Sequence, residues 1–208
     1  MTDQELLLVY SDPGDVPLEK FNDWYDNEHV PLRMQFPEFR NGFRFTSADD
    51  ERPQWMAAYD VEAGFLDTDR YGRLRANRSP REQGVVERLA TLDRRTYELI
   101  RESGGLHGLP RYQVIVGMTS RDEAGLLDWY AEEHIPLLLQ IPGWRRVRQF
   151  RLREGSGEAL LAIHDIDDPA LFDTAEWKAA TSTSRRAAVL SAVTQRSRRV
   201  FRFHNSGR

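Results

Sequence analysis

The sequence predicts an α+β protein built from two tandem copies of one unit with the element order β-α-β-β-α-β. Three observations support this prediction: a ten-residue phrase that occurs twice, a weaker similarity around it, and the same order of apolar segments in each half. The phrase reads DWYDNEHVPL at residues 23–32 and DWYAEEHIPL at residues 128–137. Such a repeat indicates a duplicated structural unit, so we consider it before the individual elements.

The similarity extends well beyond the phrase. Residues 21–45 and 126–150 are identical at 11 of 25 positions without a gap. Weaker matches follow, with MAAYDVE against LLAIHDI and RRTYEL against RRVFRF. The segment RESGGLHGLP separates the halves, and its Gly and Pro content is typical of a linker. We therefore expect a first unit over residues 1–103, a linker over 104–110 and a second unit over 111–208.

The elements follow one another in the same order in each half. An apolar run, ELLLVYS or RYQVIVGM, is typical of a buried strand. A helix is predicted next, because apolar residues recur at helical spacing from Leu18 to about Met34 and again from Ala124. Two strands follow, FRNGFRFTS and WMAAYDVE in the first half, with a polar turn between them. Helical stretches at roughly 65–76 and 81–93 precede the last strand, RRTYELI.

This order is that of ferredoxin-like units. A four-stranded sheet with helices on one face leaves its other face bare, so we expect the two units to form an intrachain pseudo-dimeric α/β barrel. The phrase WYxxEHxPL, followed by a Pro-containing turn and an aromatic-basic strand, resembles the EthD-like branch of the dimeric α/β-barrel superfamily. The resemblance covers both halves, and the motif is more specific for the fold than for a reaction.

The composition narrows the class of protein. A net charge of −4 and a pI near 5.8 argue against a nucleic-acid-binding protein. The absence of cysteine excludes disulfides, cysteine-based zinc sites and a thiol nucleophile. The apolar run LLLVY near the N-terminus is too short for a signal peptide or a membrane span. We expect a cytoplasmic protein with a small-molecule substrate, no nucleic-acid or membrane partner, and possible pairing into a homodimer.

The repeated phrase places its chemically active residues on one face of a helix, where residues four apart are neighbours. It predicts a Trp over a Glu and a Tyr over a His in each copy: Trp24–Glu28, Tyr25–His29, Trp129–Glu133 and Tyr130–His134. Pro31 and Pro136 should end or kink the helix just after the histidine. A histidine near a helix C-terminus and beside a carboxylate should have a raised pKa.

His29 and His134 are the first catalytic candidates, because histidine titrates near working pH and serves as a general acid or base. The substrate-binding candidates are the other residues of the phrase that could line a pocket: Trp24, Tyr25, Glu28, Trp129, Tyr130 and Glu133. In the alternative interpretation, the Trp and Tyr side chains only fill the core and the histidine caps the helix end. The glutamates then form salt bridges or orient the histidine.

The two halves differ on the third strand, where His164 occupies the position of Tyr59. Side chains alternate between the two faces of a strand. If helices cover the face that carries His164, it meets His134 across a pocket and Tyr59 meets His29. His164 and Tyr59 then join the catalytic candidates. The alternative is a half-buried His164 whose polar tip lies at the rim of the sheet.

The resemblance implies a cofactor-independent enzyme of the isomerase, dehydratase or cyclase type that acts on a small lactone-, polyketide- or aromatic-like compound. The sequence has no nucleotide-binding motif and no histidine pair spaced for a metal, so we expect neither a cofactor nor a metal. Two alternatives stay open. One is a small-molecule-binding or accessory protein without chemistry. The other is a heme-linked monooxygenase, since some dimeric α/β-barrel proteins bind heme.

Overall fold

The first half of the chain has the predicted order of elements in a computed structural model, which describes residues 3–207. Its strands are β1 (Gln4–Asp12), β2 (Gly42–Ser47), β3 (Trp55–Glu62) and β4 (Thr91–Gly104). Its α-helices are α1 (Leu18–Trp24), α2 (Val30–Met34), α3 (Asp69–Ala76) and α4 (Pro80–Val86). A 3₁₀ turn, Phe65–Asp67, precedes α3. The second helical stretch is therefore shorter than predicted, because β4 already begins at Thr91.

The second half repeats this order. Its strands are β5 (Tyr112–Ser120), β6 (Trp144–Glu154), β7 (Leu160–Ile166) and β8 (Val193–Gly207). Its α-helices are α5 (Glu123–Trp129), α6 (Ile135–Leu139), α7 (Ala175–Ala180) and α8 (Ser184–Leu190). A 3₁₀ turn, Pro169–Asp173, precedes α7. No helix within residues 3–207 is long and apolar enough to cross a membrane.

The sheet topology is the same in both halves. In the first, β1 pairs with β3 and β4, and β2 pairs with β3, all antiparallel, which gives the order β4-β1-β3-β2. In the second, the equivalent pairs give β8-β5-β7-β6. The predicted α+β class is confirmed.

The chain divides into two compact units. The first unit holds the chain up to Leu99, Arg153–Ser156 and the end of the chain from Phe203, and the second holds Ile100–Leu152 and Gly157–Arg202. Each unit has its own apolar core. In the first, Phe21 and Trp24 of α1 join Leu7 of β1 in the core. In the second, Leu126 and Trp129 of α5 join Val114 of β5.

The helix that carries the repeated phrase does not end after the histidine. In the first unit, α1 passes through a π-helical turn, Tyr25–His29, directly into α2. The second unit has the same turn at Tyr130–His134. Of the two predicted effects of Pro31 and Pro136, an end or a kink of the helix, the end is therefore wrong. A π turn widens the helix by one residue, and this local break in the α-helical bonding accommodates a proline that lacks an N–H.

Candidate functional site

The first unit contains a cavity of about 160 Å³. Its lining combines three tyrosines, a histidine, one carboxylate and four arginines: Tyr25, Tyr59, Tyr71, His29, Glu82, Arg33, Arg75, Arg78 and Arg94. Trp24 and aliphatic side chains supply the apolar wall. An apolar protein cavity of about 150 Å³ binds benzene. The first cavity therefore matches a ligand with one ring.

A hydrogen bond links His29 to Glu82 in this cavity. Nδ1 of His29 lies 3.0 Å from Oε1 of Glu82, and the two side chains are only 12% and 8% exposed. A neutral imidazole carries one N–H, so a proton on Nδ1 donates to the carboxylate and leaves a lone pair on Nε2. Among residues 3–207, Glu82 is the one hydrogen-bond partner of the ring. This is the arrangement of a general base held in one tautomer by a carboxylate.

The charge state of the pair follows from its surroundings. Burial and the nearby Arg33 guanidinium lower the pKa of His29 to about 3, although Glu82 acts in the opposite direction. Burial acts to raise the pKa of Glu82, but the contact with His29 and the charge of Arg33 bring it below its usual value. At neutral pH the pair is a neutral imidazole beside a carboxylate. The prediction of a raised histidine pKa is wrong, because His29 is buried within a continuous helix.

Two of the tyrosines that line this cavity, Tyr25 and Tyr59, have phenols with raised pKa values. Burial raises the pKa of Tyr25, and burial with the proximity of Tyr25 raises the pKa of Tyr59 further. Both therefore keep their protons and can donate hydrogen bonds. Although the two phenols are close, Oη of Tyr59 has no partner of good hydrogen-bond geometry among the described residues. A Cβ at Gly42 would lie 2.9 Å from Cε1 of Tyr59, so the glycine makes room for this ring.

The arginines give the first cavity an excess of positive charge. Arg33 is 8% exposed, and its Nη1 donates to the backbone oxygen of His29 at 3.0 Å. Arg94 pairs with Glu154 at 3.2 Å, while its buried Nε has no hydrogen-bond partner within residues 3–207. Glu82 is the single carboxylate in the lining. Such a field favours a ligand that is anionic or becomes anionic during reaction.

The second unit contains a smaller cavity of about 60 Å³, lined by both His134 and His164. The ring of His134 stacks on Trp129, with centroids 4.4 Å apart and an interplanar angle of 19°. Nδ1 of His164 lies 3.3 Å from Nε1 of Trp144, an indole donor, so this nitrogen is the acceptor. Thus His164 shares a cavity with His134, as Tyr59 does with His29, and the strand position lies on the helix-covered face.

Neither histidine of the second cavity has a carboxylate partner in the lining. Burial and the charge of Arg186 lower the pKa of His134 to about 4, with a hydrogen bond to the backbone of Ala180 and the charge of Glu133 acting in the opposite direction. Burial, followed by the charges of His134 and Arg198, lowers the pKa of His164 to about 3. Both rings are neutral at pH 7, as in the first cavity, but no acidic side chain there fixes a tautomer.

The residues beside His29 and His134 come from equivalent helices. The hydroxyl of Ser79 caps α4 by accepting from the backbone N–H of Glu82 at 3.0 Å. The hydroxyl of Thr183 caps α8 by accepting from the backbone N–H of Arg186 at 3.2 Å. Glu82 and Arg186 thus occupy the same helical position in the two units, and they have opposite charges.

The acidic residues of the repeated phrase lie elsewhere. Glu28 accepts a hydrogen bond from Ser79, and Glu133 accepts one from Thr183 at 2.5 Å, so both tie the phrase to the neighbouring helix cap. Glu133 also accepts from Nε1 of Trp129 at 3.0 Å. Neither glutamate lines its unit's cavity. Sequence reasoning found the histidines and tyrosines but missed Glu82, which matches only a Ser-x-x-Glu capping pattern.

Similar solved structures agree with this architecture. An anthrone oxidase-like protein matches with a TM-score of 0.68 and 13% identity, covering 98% of this chain and 92% of that one. The chain shares the fold of this protein. A chlorite dismutase from Candidatus Nitrospira defluvii matches with a TM-score of 0.64 and 11% identity, covering 99% and 93%. A proposed monooxygenase from Lactobacillus acidophilus NCFM matches with a TM-score of 0.56 and 7% identity, covering 99% of this chain and 96% of that one.

These likenesses establish the fold alone. No protein-family model and no curated protein sequence matches the chain. The described residues contain no cluster of three or more histidine and acidic side chains placed to hold a metal ion. Heme does not fit either cavity, since about 160 and 60 Å³ lie below the roughly 300–1,000 Å³ of sites for drug-sized ligands.

Proposed function

We propose that the first cavity is the active site of a cofactor-independent enzyme. It moves a proton on a small lactone-, polyketide- or aromatic-like substrate, in a reaction of the isomerase, dehydratase or cyclase type. The observation that carries the proposal is the 3.0 Å contact between His29 and Glu82 inside a cavity that fits one ring. Enzymatic members of the same superfamily support it at the level of the fold.

The mechanism uses three features of the cavity. Nε2 of His29 takes a proton from a carbon next to a substrate carbonyl, while Nδ1–H stays on Glu82. The electron pair of the broken C–H bond moves onto the carbonyl oxygen. The protonated phenols of Tyr25 and Tyr59 and the arginine charges stabilise that oxyanion. His29 then returns the proton to another carbon, which is isomerisation, or to a leaving hydroxyl, which is dehydration.

An anionic substrate would also raise the pKa of His29. A pKa of about 3 makes His29 a weak base in the empty cavity. Negative charge on a bound carboxylate or a developing enolate favours the imidazolium and raises the pKa toward the working range. The substrate therefore contributes to its own activation, which is a reason for the arginines to outnumber the carboxylates in this lining.

We propose a tandem fusion of two ferredoxin-like units over 1–103 and 111–208 that form an intrachain pseudo-dimer, related to the EthD-like branch. The repeated phrase and the repeated strand order support this. Cytoplasmic location, homodimer formation and substrate-binding roles for Trp24, Trp129 and Tyr130 stay predictions.

Deuterium exchange tests the proposed reaction without knowledge of the product. Small lactones such as α-angelica lactone and phenolic keto acids are incubated in D₂O with the protein, and loss of the C–H signal next to the carbonyl is followed by ¹H NMR. We expect His29→Gln to slow the catalysed exchange by about 10²–10⁴-fold, the usual contribution of a general base.

The matched control is His134→Gln, the same change in the equivalent residue. It should leave the exchange within about twofold of wild type, since that ring lacks a carboxylate partner. Equal exchange by wild type and His29→Gln would contradict the proposal. Binding of the same compounds without any exchange would instead favour the alternative of a small-molecule-binding protein.

A further inference from the structure

We propose that the cavity of the second unit is a separate, non-catalytic binding site for a small oxyanion. The ligand is a carboxylate or phosphate group, free in solution or carried on a small metabolite. The site is built around Arg186, Arg196 and His134, all of which line this cavity. It depends on the second unit alone and not on the reaction proposed for the first.

Two unpaired guanidinium groups make the first argument. Within residues 3–207, the side chains of Arg186 and Arg196 have neither a hydrogen-bond partner nor an ion-pair partner. They are close enough that the charge of Arg196 adds to the effect of burial in lowering the pKa of Arg186. Two like charges next to one cavity repel each other until an anion lies between them. Guanidinium groups bind carboxylate and phosphate oxygens through paired hydrogen bonds.

A buried imidazole nitrogen without a partner makes the second argument. His134 is 9% exposed, and its buried Nδ1 has no hydrogen-bond partner among the described residues. A buried polar atom of this kind costs free energy unless a ligand or water satisfies it. An oxyanion beside this nitrogen favours its protonation, and a protonated Nδ1 donates a hydrogen bond to the anion. The histidine therefore adds a polar contact to the two charges.

The size and lining of the cavity decide the class of ligand. A volume of about 60 Å³ corresponds to about two water molecules at roughly 30 Å³ each, which is the scale of one oxyanion group. No carboxylate lines this cavity. Trp144, Phe172 and Trp177 enclose it with aromatic surface, so a ring attached to the anion would have to extend outward.

The equivalent position in the first unit sharpens the inference. There Glu82 binds His29, and its negative charge lies where Arg186 lies in the second unit. At this position Glu82 opposes an oxyanion, which in the first cavity is attracted only by the arginines elsewhere in the lining, whereas Arg186 itself attracts one. The residue at this one helical position therefore distinguishes the two sites: Glu82 supports a neutral base in the first, and Arg186 attracts an anion in the second.

Calorimetric titration with inorganic phosphate, acetate and benzoate tests the site. Phosphate and acetate represent the free anion, and benzoate represents a carboxylate on a ring. We expect at least one probe to bind the wild type with a Kd of about 1 mM or tighter. Arg186→Gln should weaken that binding by at least about tenfold, since it removes a charged hydrogen-bond donor.

The matched control is Arg185→Gln, which removes the same charge from the same helix. Arg185 faces away to pair with Glu132 at 2.8 Å, so this variant should bind within about twofold of wild type. Arg196→Gln, a change at an exposed strand position, repeats the test if Arg186→Gln fails to fold.

Imidazole ¹⁵N spectra show which cavity responds. The resonances of His134 and His164, assigned from the peaks that each histidine-to-glutamine variant lacks, should shift on addition of the anion more than that of His29. No anion binding by wild type, equal binding by the Arg185 and Arg186 variants, or a response confined to His29 would each overturn the proposal. Deuterium exchange by Arg186→Gln remains at the wild-type rate, so a failure here is separable from a failure of the proposed reaction.

Discussion

The two cavities share a framework and differ in the residue that faces the histidine. In each unit a π-helical turn presents the histidine, and a capped helix brings one side chain next to it. That side chain is Glu82 in the first unit and Arg186 in the second. The comparison teaches that the repeated phrase does not define the chemistry. A residue outside the phrase makes one histidine a positioned base and leaves the other beside a cation.

A second difference lies in the size of the cavities. The first unit combines the large Tyr59 with Gly42, and the second combines the smaller His164 with Val147 at the paired strand position. The resulting volumes are about 160 and 60 Å³. The first accommodates a ring, and the second accommodates a single polar group. The two cavities therefore differ both in volume and in the charge of the residue beside the histidine.

Loss of the carboxylate should have the largest effect. Glu82→Gln leaves the shape but removes the charge that fixes the Nδ1–H tautomer of His29, so we expect kcat for deuterium exchange to fall by about 10²–10⁴-fold. KM should change little, because Glu82 acts through His29. The measurement is the NMR exchange rate at several substrate concentrations.

Arg186→Gln is the control for that prediction. It neutralises the equivalent residue in the second unit and should leave kcat within about twofold, since the proposed proton transfer takes place in the first. If both variants lost activity to the same extent, the assignment of the reaction to the first unit would be wrong.

Acid should destabilise the second unit more than the first. His29, His134 and His164 have pKa values of about 3, 4 and 3 in the folded protein, below the unfolded value of about 6.5. The unfolded state therefore binds protons first, and stability that is complete above pH 6.5 declines as the pH falls toward 4 and then 3. At pH 5 each buried histidine costs about 2 kcal/mol of unfolding free energy.

Urea unfolding at pH 7 and pH 5 measures this loss. The first unit contributes one such histidine and the second contributes two, so His134→Gln and His164→Gln together should remove about twice as much pH dependence as His29→Gln. A loss of stability that is unchanged by all three replacements would show that other groups control the acid response.

A charge reversal at Arg186 should raise the pKa of His134. Arg186→Glu removes a cation that lowers the pKa of His134 and supplies the carboxylate that the first unit has. We expect the pKa of His134, measured by ¹⁵N NMR titration, to rise from about 4 by one unit or more. Arg185→Glu, directed at solvent, should raise it much less. Equal shifts in the two variants would indicate a general charge effect.

The helix caps should show the smallest difference between the units. Ser79→Ala and Thr183→Ala each remove a hydroxyl that caps a helix and binds a glutamate of the repeated phrase. Each should lower the unfolding free energy by about 1 kcal/mol in urea titrations. The two losses should agree, because the geometry is the same. A large loss in one unit alone would contradict the equivalence of the two caps.

The sequence predicted those parts of the fold that depend on repeated local patterns. The duplicated phrase and the apolar periodicities gave the order of elements, and strand alternation placed Tyr59 and His164 with the histidines of their units. The π turns were not predicted, because Pro31 and Pro136 locally indicate an end or a kink of the helix. The pKa direction was wrong for the same reason, since the histidines are buried within a continuous helix rather than at its end.

Glu82 could not be found from local sequence. It lies 53 residues from His29, and its own surroundings, Ser79-x-x-Glu82, indicate a capping box. Only the packing of α4 next to the π turn brings its carboxylate to the imidazole. The charge change between Glu82 and Arg186 becomes visible only when the two helices are matched at their caps, Ser79 and Thr183, and it has meaning only when both residues are known to lie beside a histidine.

The most direct test of the central claim is the tautomer of His29. Two-dimensional ¹H–¹⁵N spectra of the imidazoles at pH 7 distinguish a protonated nitrogen from one with a free lone pair. We predict that His29 is neutral, with its proton on Nδ1 and a free lone pair on Nε2, and that Glu82→Gln abolishes this preference. A cationic His29, or a neutral one with its proton on Nε2, would contradict the account, because neither leaves a base that faces the substrate.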